Sequence, residues 1–183
     1  MAIFIRVIFS LSGFFLLVAC AYNIKDVSSP FYQPPVNSRF QIHQPITIPA
    51  GRASVFIQEG KTRGGSFNHF MPHCRLEVRH VLDVPQIVQP GEFTITRVYR
   101  DLPPVVALKP VHYADSGASS SDSGLPMDLI YVIYMRLSSE EQPDVLNITC
   151  GGSTDDPSAV VPPSIEDIRG TLGGLASLLL SKV

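Results

Sequence analysis

The chain has 183 residues, 14 of them Lys or Arg and 16 Asp or Glu, which gives a net charge of −2 with neutral histidines. Its basic residues are scattered and Trp is absent, so there is neither a phosphate-tracking stripe nor a stacking platform, and no nucleic-acid partner is expected. The length suits one domain with a linker and is enough to bury a real core, whereas two domains would be crowded.

Met1 to Ala19 has a short n-region with Arg6, an apolar run from Val7 to Val18 and a small residue at the end, the layout of a secretory signal. A bilayer-spanning helix needs about 20 apolar residues, and Ser10, Ser12 and Gly13 interrupt this run, so a retained membrane helix is the weaker reading. The run closes on Leu17-Val18-Ala19-Cys20. This motif resembles the lipobox of bacterial lipoprotein precursors, a match confined to the signal and its cysteine. The resemblance implies that Cys20 begins the mature chain and carries a thioether-linked diacylglycerol and an N-acyl group. Each buried methylene contributes about 0.8 kcal/mol, so three acyl chains hold a protein at the membrane. Ala21 in place of Asp after the cysteine implies onward export to the outer membrane, facing the periplasm, in a Gram-negative cell. The motif supplies an address and no activity.

Removing the first 19 of 183 residues leaves 164, and because Arg6 is the only charge removed, 13 basic residues face 16 acidic ones for a net −3. With Cys20 committed to lipid, Cys74 and Cys150 are the remaining pair in a compartment that permits disulfides. Cys74, Leu76 and Val78 alternate with Arg75, Glu77 and Arg79, and Leu146, Ile148 and Cys150 alternate with Asn147 and Thr149. Each cysteine therefore falls on the apolar face of an expected strand, one at its start and the other at its end, so antiparallel neighbours would set them opposite each other. A disulfide is expected, closing a loop of about 77 residues and stabilising the fold by roughly 4 kcal/mol in the chain-entropy model. The alternative is two separate buried thiols.

Residues 20–38 read as the lipidated cysteine followed by a flexible tether, with Pro30, Pro34 and Pro35 and no apolar period. Fully extended at about 3.3 Å per residue, the tether would reach roughly 60 Å from the membrane. The other reading packs it as an N-terminal edge segment through Phe31 and Tyr32. Residues 39–163 read as a β domain. Arg39–His43, Ile46–Ile48, Ala53–Gln58, Cys74–Leu82, Phe93–Arg100, Val105–Val111, Leu129–Leu137 and Val145–Cys150 are short, rich in Val, Ile, Phe and Tyr, and punctuated by Pro and Gly. Leu129 to Tyr134 is apolar on both faces and suits a central strand. Pro49-Ala50-Gly51 suits a turn. The expected fold is mainly β, an antiparallel sandwich-like domain with one C-terminal helix. Gly60–His73 reads as a loop, and Ala114–Gly124 as a mobile insertion with almost nothing to bury.

Residues 164–183 predict a helix packing on the domain. Ser164 is placed to cap it, Glu166 and Asp167 suit its first turn, and Ile165, Ile168, Leu172, Leu175 and Leu179 share a face. Gly170, Gly173 and Gly174 each cost about 1 kcal/mol relative to Ala within a helix, so the helix needs packing against the sheet or, in the alternative reading, a docked partner.

Candidate chemistry is sparse. In Asn68-His69-Phe70-Met71-Pro72-His73, the residues His69, Met71 and His73 form the one candidate metal set, suited to copper or zinc. Against it stand Pro72, which constrains the loop, and the lack of a second cluster, unless His43, His80 or His112 converges with it. The bland reading is solvent-facing or hydrogen-bonded histidines beside a disulfide. No G-x-S-x-G elbow supports a serine hydrolase, and Glu140-Glu141 and Asp155-Asp156 suit solvated turns. Gly64-Gly65 and Gly151-Gly152 lack the Lys-Ser/Thr of a phosphate loop. Neither a cofactor nor an enzymatic activity is expected.

The segments IPAGRA at Ile48–Ala53 and HCRLEV at His73–Val78 are similar to small, uncharacterised proteobacterial lipoproteins, and no activity attaches to that resemblance. The expected role is a membrane-anchored envelope lipoprotein that serves another envelope protein as a binding or structural accessory, through a sheet edge or the glycine-containing helix. The alternatives are a periplasmic copper or zinc binder and a small-ligand or glycan-binding module.

Overall fold

The computed structural model describes residues 26–64, 67–68, 71–101, 104–105, 128–129, 131–152 and 161–182. The signal segment, Cys20, His69, His112, Asp155-Asp156 and the serine-rich loop at 114–124 lie outside the described residues.

Among the described residues, twelve strands and one helix follow in chain order: β1 (Arg39–Ile42), β2 (Ile46–Ile48), β3 (Ser54–Gln58), β4 (Lys61–Arg63), β5 (His73–Val78), β6 (Gln86–Val88), β7 (Gly91–Asp101), β8 (Pro104–Val105), β9 (Asp128–Leu129), β10 (Tyr131–Ser138), β11 (Val145–Gly152), α1 (Ile165–Leu172) and β12 (Ala176–Leu179). Eight strands form one sheet in the order β12-β1-β7-β10-β11-β5-β3-β4. Every pairing in it is antiparallel. Two short ribbons, β2-β6 and β8-β9, complete the fold. The fold is therefore mainly antiparallel β with a single C-terminal helix, as expected, and the walls around its core come from a sheet that curls.

Alternation in the sequence explains that curl. Phe40 and Ile42, Val55 and Ile57, Leu76 and Val78, Phe93 and Ile95, Ile133, Met135 and Leu137, and Ile148 all bury on the concave side with Ile165, Ile168 and Leu172 of α1. Side chains two apart on a strand share a face, so these runs build one continuous apolar wall. Opposed strand partners Phe40 and Phe93 put their ring centroids 6.4 Å apart within it. Cys74 and Cys150 are also direct cross-strand partners of β5 and β11, with Cα atoms 4.0 Å apart, and they form the expected disulfide inside the core.

Three expectations are corrected. The tether does not run free to Ser38: Tyr32 and Ser38 are buried, Asn37 N–H donates to Ile95 O at 2.8 Å, and Ile95 N–H donates to Ser38 O at 2.8 Å. Burial of the Tyr32 ring outweighs the polar, proline-rich composition around it. The helix expected over 164–183 ends at Leu172, and the chain turns at Gly173 to become an edge strand paired with β1. Gly173 has φ 53° and ψ −132°, and a Cβ there would fall 2.7 Å from Gly60 Cα. Only glycine allows both this backbone and this approach to the β3–β4 turn. The loop expected from Gly60 to His73 begins instead with β4, which pairs with β3 as a hairpin.

The start of the helix matches its expectation. Asp167 N–H donates to Ser164 Oγ at 3.1 Å while Ser164 N–H donates to Asp167 Oδ2 at 2.9 Å, a reciprocal capping box. Both sheet edges are blunted. The Arg169 guanidinium donates to Leu178 O at 3.1 Å on β12, and β4 is three residues long and carries Lys61 and Arg63. Among the described residues, no helix is long and apolar enough to cross a membrane.

Candidate functional site

Of the candidate metal set His69, Met71 and His73, the structure describes Met71 and His73. Met71 is exposed, whereas His73 is buried against Phe67 and Phe56, with ring centroids 4.7 and 6.1 Å away. His73 Nδ1 lies 2.9 Å from the Met71 carbonyl oxygen, a contact that ties the ring to its own loop. Phe56 and Phe67 stack at 3.9 Å, so the Phe67 ring covers Phe56 of β3. His43 lies at the other edge of the sheet, its Nε2 2.9 Å from Ser177 Oγ, and His80 faces Asp144 at 3.7 Å. Among the described residues, no group of three or more His, Cys, Asp and Glu gathers as a metal site.

The convex face of β7, β10, β11 and β5 is the more informative surface. Strand register lays two rows of side chains across it. One runs Tyr99, Tyr134, Thr149, Arg75, and continues to Phe56 on β3; the other runs Arg97, Arg136, Asn147, Glu77. In the first row, Tyr99 and Tyr134 stack with centroids 4.7 Å apart and planes 10° apart. In the second, Arg136 donates to Asn147 Oδ1 at 3.2 Å, Asn147 donates to Glu77 Oε2 at 2.9 Å, and Glu77 pairs with Arg75.

A bulge makes this arrangement. Leu137 pairs with Ile95 and Arg136 with Arg97, so Thr96 is an extra residue on β7. Strict alternation would send Arg97 to the core side with Ile95; the bulge turns it outward. Arg97 and Arg136 then stand directly opposite each other, both exposed. Like charges in that position repel. Among the described residues, no carboxylate forms an ion pair with either one. The Arg97 guanidinium lies 5.4 Å from the Tyr99 ring centroid, so it is held over the ring.

A second bulge at Leu146 of β11 flanks the same end of β10. Between the two bulges lies a shallow concavity of about 240 Å³, lined by Arg79, Thr96, Arg136, Ser138, Ser139 and Pro143. Arg79 is already paired with Asp144 at 3.2 Å. Thr149 is buried, and its Oγ1 finds no hydrogen-bond partner among the described residues. Burial raises the Tyr134 phenol above its ordinary pKa, with Tyr99, Asp101 and Glu77 adding to the rise and Arg75 opposing it. Tyr134 is therefore a neutral hydroxyl donor at physiological pH.

Near the end of β5 a different surface begins. Val81, Val84 and Ile87 are 62%, 61% and 58% exposed, and the segment is clipped in place by Gly51 N–H donating to Leu82 O at 2.7 Å and Gln86 Nε2 to His80 O at 2.9 Å. It is an apolar ridge on an ordered segment.

Sequence reading did not find the convex face. Arg97, Tyr99, Tyr134 and Arg136 lie far apart in the chain, and only strand register unites them. The one local signal was Tyr134, a hydroxyl-bearing ring on the convex side of a strand otherwise apolar on both faces. The chain matches no protein-family model, no curated protein sequence and no solved structure.

Proposed function

We propose that this protein is a lipid-anchored envelope lipoprotein, exported through its N-terminal signal and attached at Cys20, whose β domain serves another envelope protein as a binding accessory without catalysing a reaction. The anchor and the outer-membrane, periplasm-facing location rest on the lipobox resemblance alone. The binding role rests on one observation, the convex face on which Arg97 and Arg136 oppose each other beside stacked Tyr99 and Tyr134. Folding gains nothing from such a pairing, whereas a partner that neutralised it would. Residues 26–32 form hydrogen-bonded turns ahead of the docked sheet, so the tether in this reading is residues 20–25, with a reach of at most about 20 Å at roughly 3.3 Å per residue.

The test has two parts. Replacing Cys20 with Ser should abolish incorporation of labelled fatty acid, and continued labelling would remove the anchor from the account. A photo-crosslinking residue at position 99 should capture one saturable envelope protein in living cells, while the same residue at position 166, on the exposed side of α1, should not. Equal and diffuse capture at both positions would argue against an accessory role.

A further inference from the structure

We infer that the surface formed by Arg97, Arg136, Tyr99 and Tyr134 docks an acidic polypeptide segment whose carboxylates sit between the two guanidinium groups; this rests on the binding role proposed above. Every outward group of the four can donate a hydrogen bond: guanidinium N–H groups from the arginines and hydroxyls from the tyrosines. Ionised carboxylates are charged side-chain groups that only accept, and they match a pair of guanidinium forks in both charge and shape.

The surroundings narrow the ligand class. Tyr99 and Tyr134 use one ring face on each other, and Tyr99 has Arg97 over its ring. This leaves Tyr99, engaged by both Tyr134 and Arg97, poorly placed as a platform for sugar rings or nucleobases. Glu77 lies in the arginine row and Asp101 is two residues beyond Tyr99 on the outer side of β7. A uniformly charged polyanion or an anionic membrane laid across the face would meet these carboxylates as well as the arginines, at a cost. A peptide can place acidic residues over Arg97 and Arg136 and neutral ones elsewhere. The concavity beside Arg136, with Ser138 and Ser139 in its wall, gives room for one further side chain.

Arg97→Glu is the decisive variant, because it separates binding from folding. It would turn the repulsive cross-strand pair into an attractive one with Arg136, so the melting temperature should stay level or rise. The probe is a short peptide alternating Glu and Ser, which as a strand puts all its carboxylates on one side; a Gln–Ser peptide of equal length is the control. Added to the full mature protein in nonionic detergent, the Glu–Ser peptide should shift amide resonances of β7 and β10. Its affinity should fall about tenfold or more in Arg97→Glu and weaken as salt rises. Equal binding of the Gln–Ser peptide, shifts confined to other strands, undiminished binding in the variant, or binding only to vesicles containing phosphatidylglycerol would overturn the inference. If the peptide fails while the residue 99 crosslink still captures one partner, the acidic chemistry is wrong and the accessory role stands. If the peptide binds but no partner is captured, the converse holds.

Discussion

The two faces of the central strands obey different rules. On the concave side, Ile133, Met135, Leu137, Leu76 and Ile148 bury in one apolar cluster that also takes in α1, and the Cys74–Cys150 bond closes a cross-strand pair already in register. On the convex side, the same strands set two arginines against each other and bury a Thr149 hydroxyl that has no partner among the described residues. Ile148 and Thr149 are consecutive residues of β11 with comparable burial, yet one satisfies every demand of its surroundings and the other does not. The core side is explained by folding alone; the convex side retains costs that folding leaves in place, which is where a binding surface is expected.

Removing the disulfide should have the largest effect. Its cysteines are 76 residues apart, and replacing both with Ala should lower stability by about 4 kcal/mol, seen as a lower denaturant midpoint. A negligible change would mean that the concave wall holds its register without the staple. Next, Ile148→Ala should cost about 2–5 kcal/mol by opening a cavity. Its neighbour should behave in the opposite sense: Thr149→Val keeps the shape, removes the unpaired hydroxyl and should raise stability by about 1 kcal/mol. Loss of stability at both positions would erase the contrast between the faces.

Glycines sharpen the same point for the helix that closes the core. Gly173→Ala forces an unfavourable positive φ and a clash with Gly60, so a loss of about 1–3 kcal/mol is expected. Gly170→Ala, with open space around its Cβ position, should gain up to about 1 kcal/mol. Thermal melts of the two variants should move in opposite directions.

The smallest effect belongs to Tyr134. Its raised pKa means that the folded state favours the protonated phenol. Its contribution to stability is therefore complete below the ordinary tyrosine value of about 10 and is lost as pH rises through the folded value. An ultraviolet titration should show a late-ionising tyrosine that disappears in Tyr134→Phe.

Strand positions were legible because burial on one face imposes alternation, which is visible along Phe93 to Ile95 and Cys74 to Val78. Cys74 and Cys150 could be paired for the same reason: each sat on the apolar face at an opposite end of its strand. What escaped depended on contacts distant in sequence. Leu175 and Leu179 are spaced as on a helix, but the close approach of Gly173 to Gly60 ends α1 and sends both leucines into an edge segment. Tyr32 looked like part of a tether because its burial depends on the assembled sheet. β4 and β6 are three residues each and carry too little alternation to read. Arg97 was hidden more deeply, since the Thr96 bulge reverses the face that alternation assigns to it.

The most direct measurement of the central claim combines the residue 99 photo-crosslink with Arg97→Glu in the same cells, alongside a melt of the purified variant. The account predicts that the single captured partner disappears while the melting temperature does not fall. An undiminished adduct, or an adduct lost only together with folding stability, would contradict it.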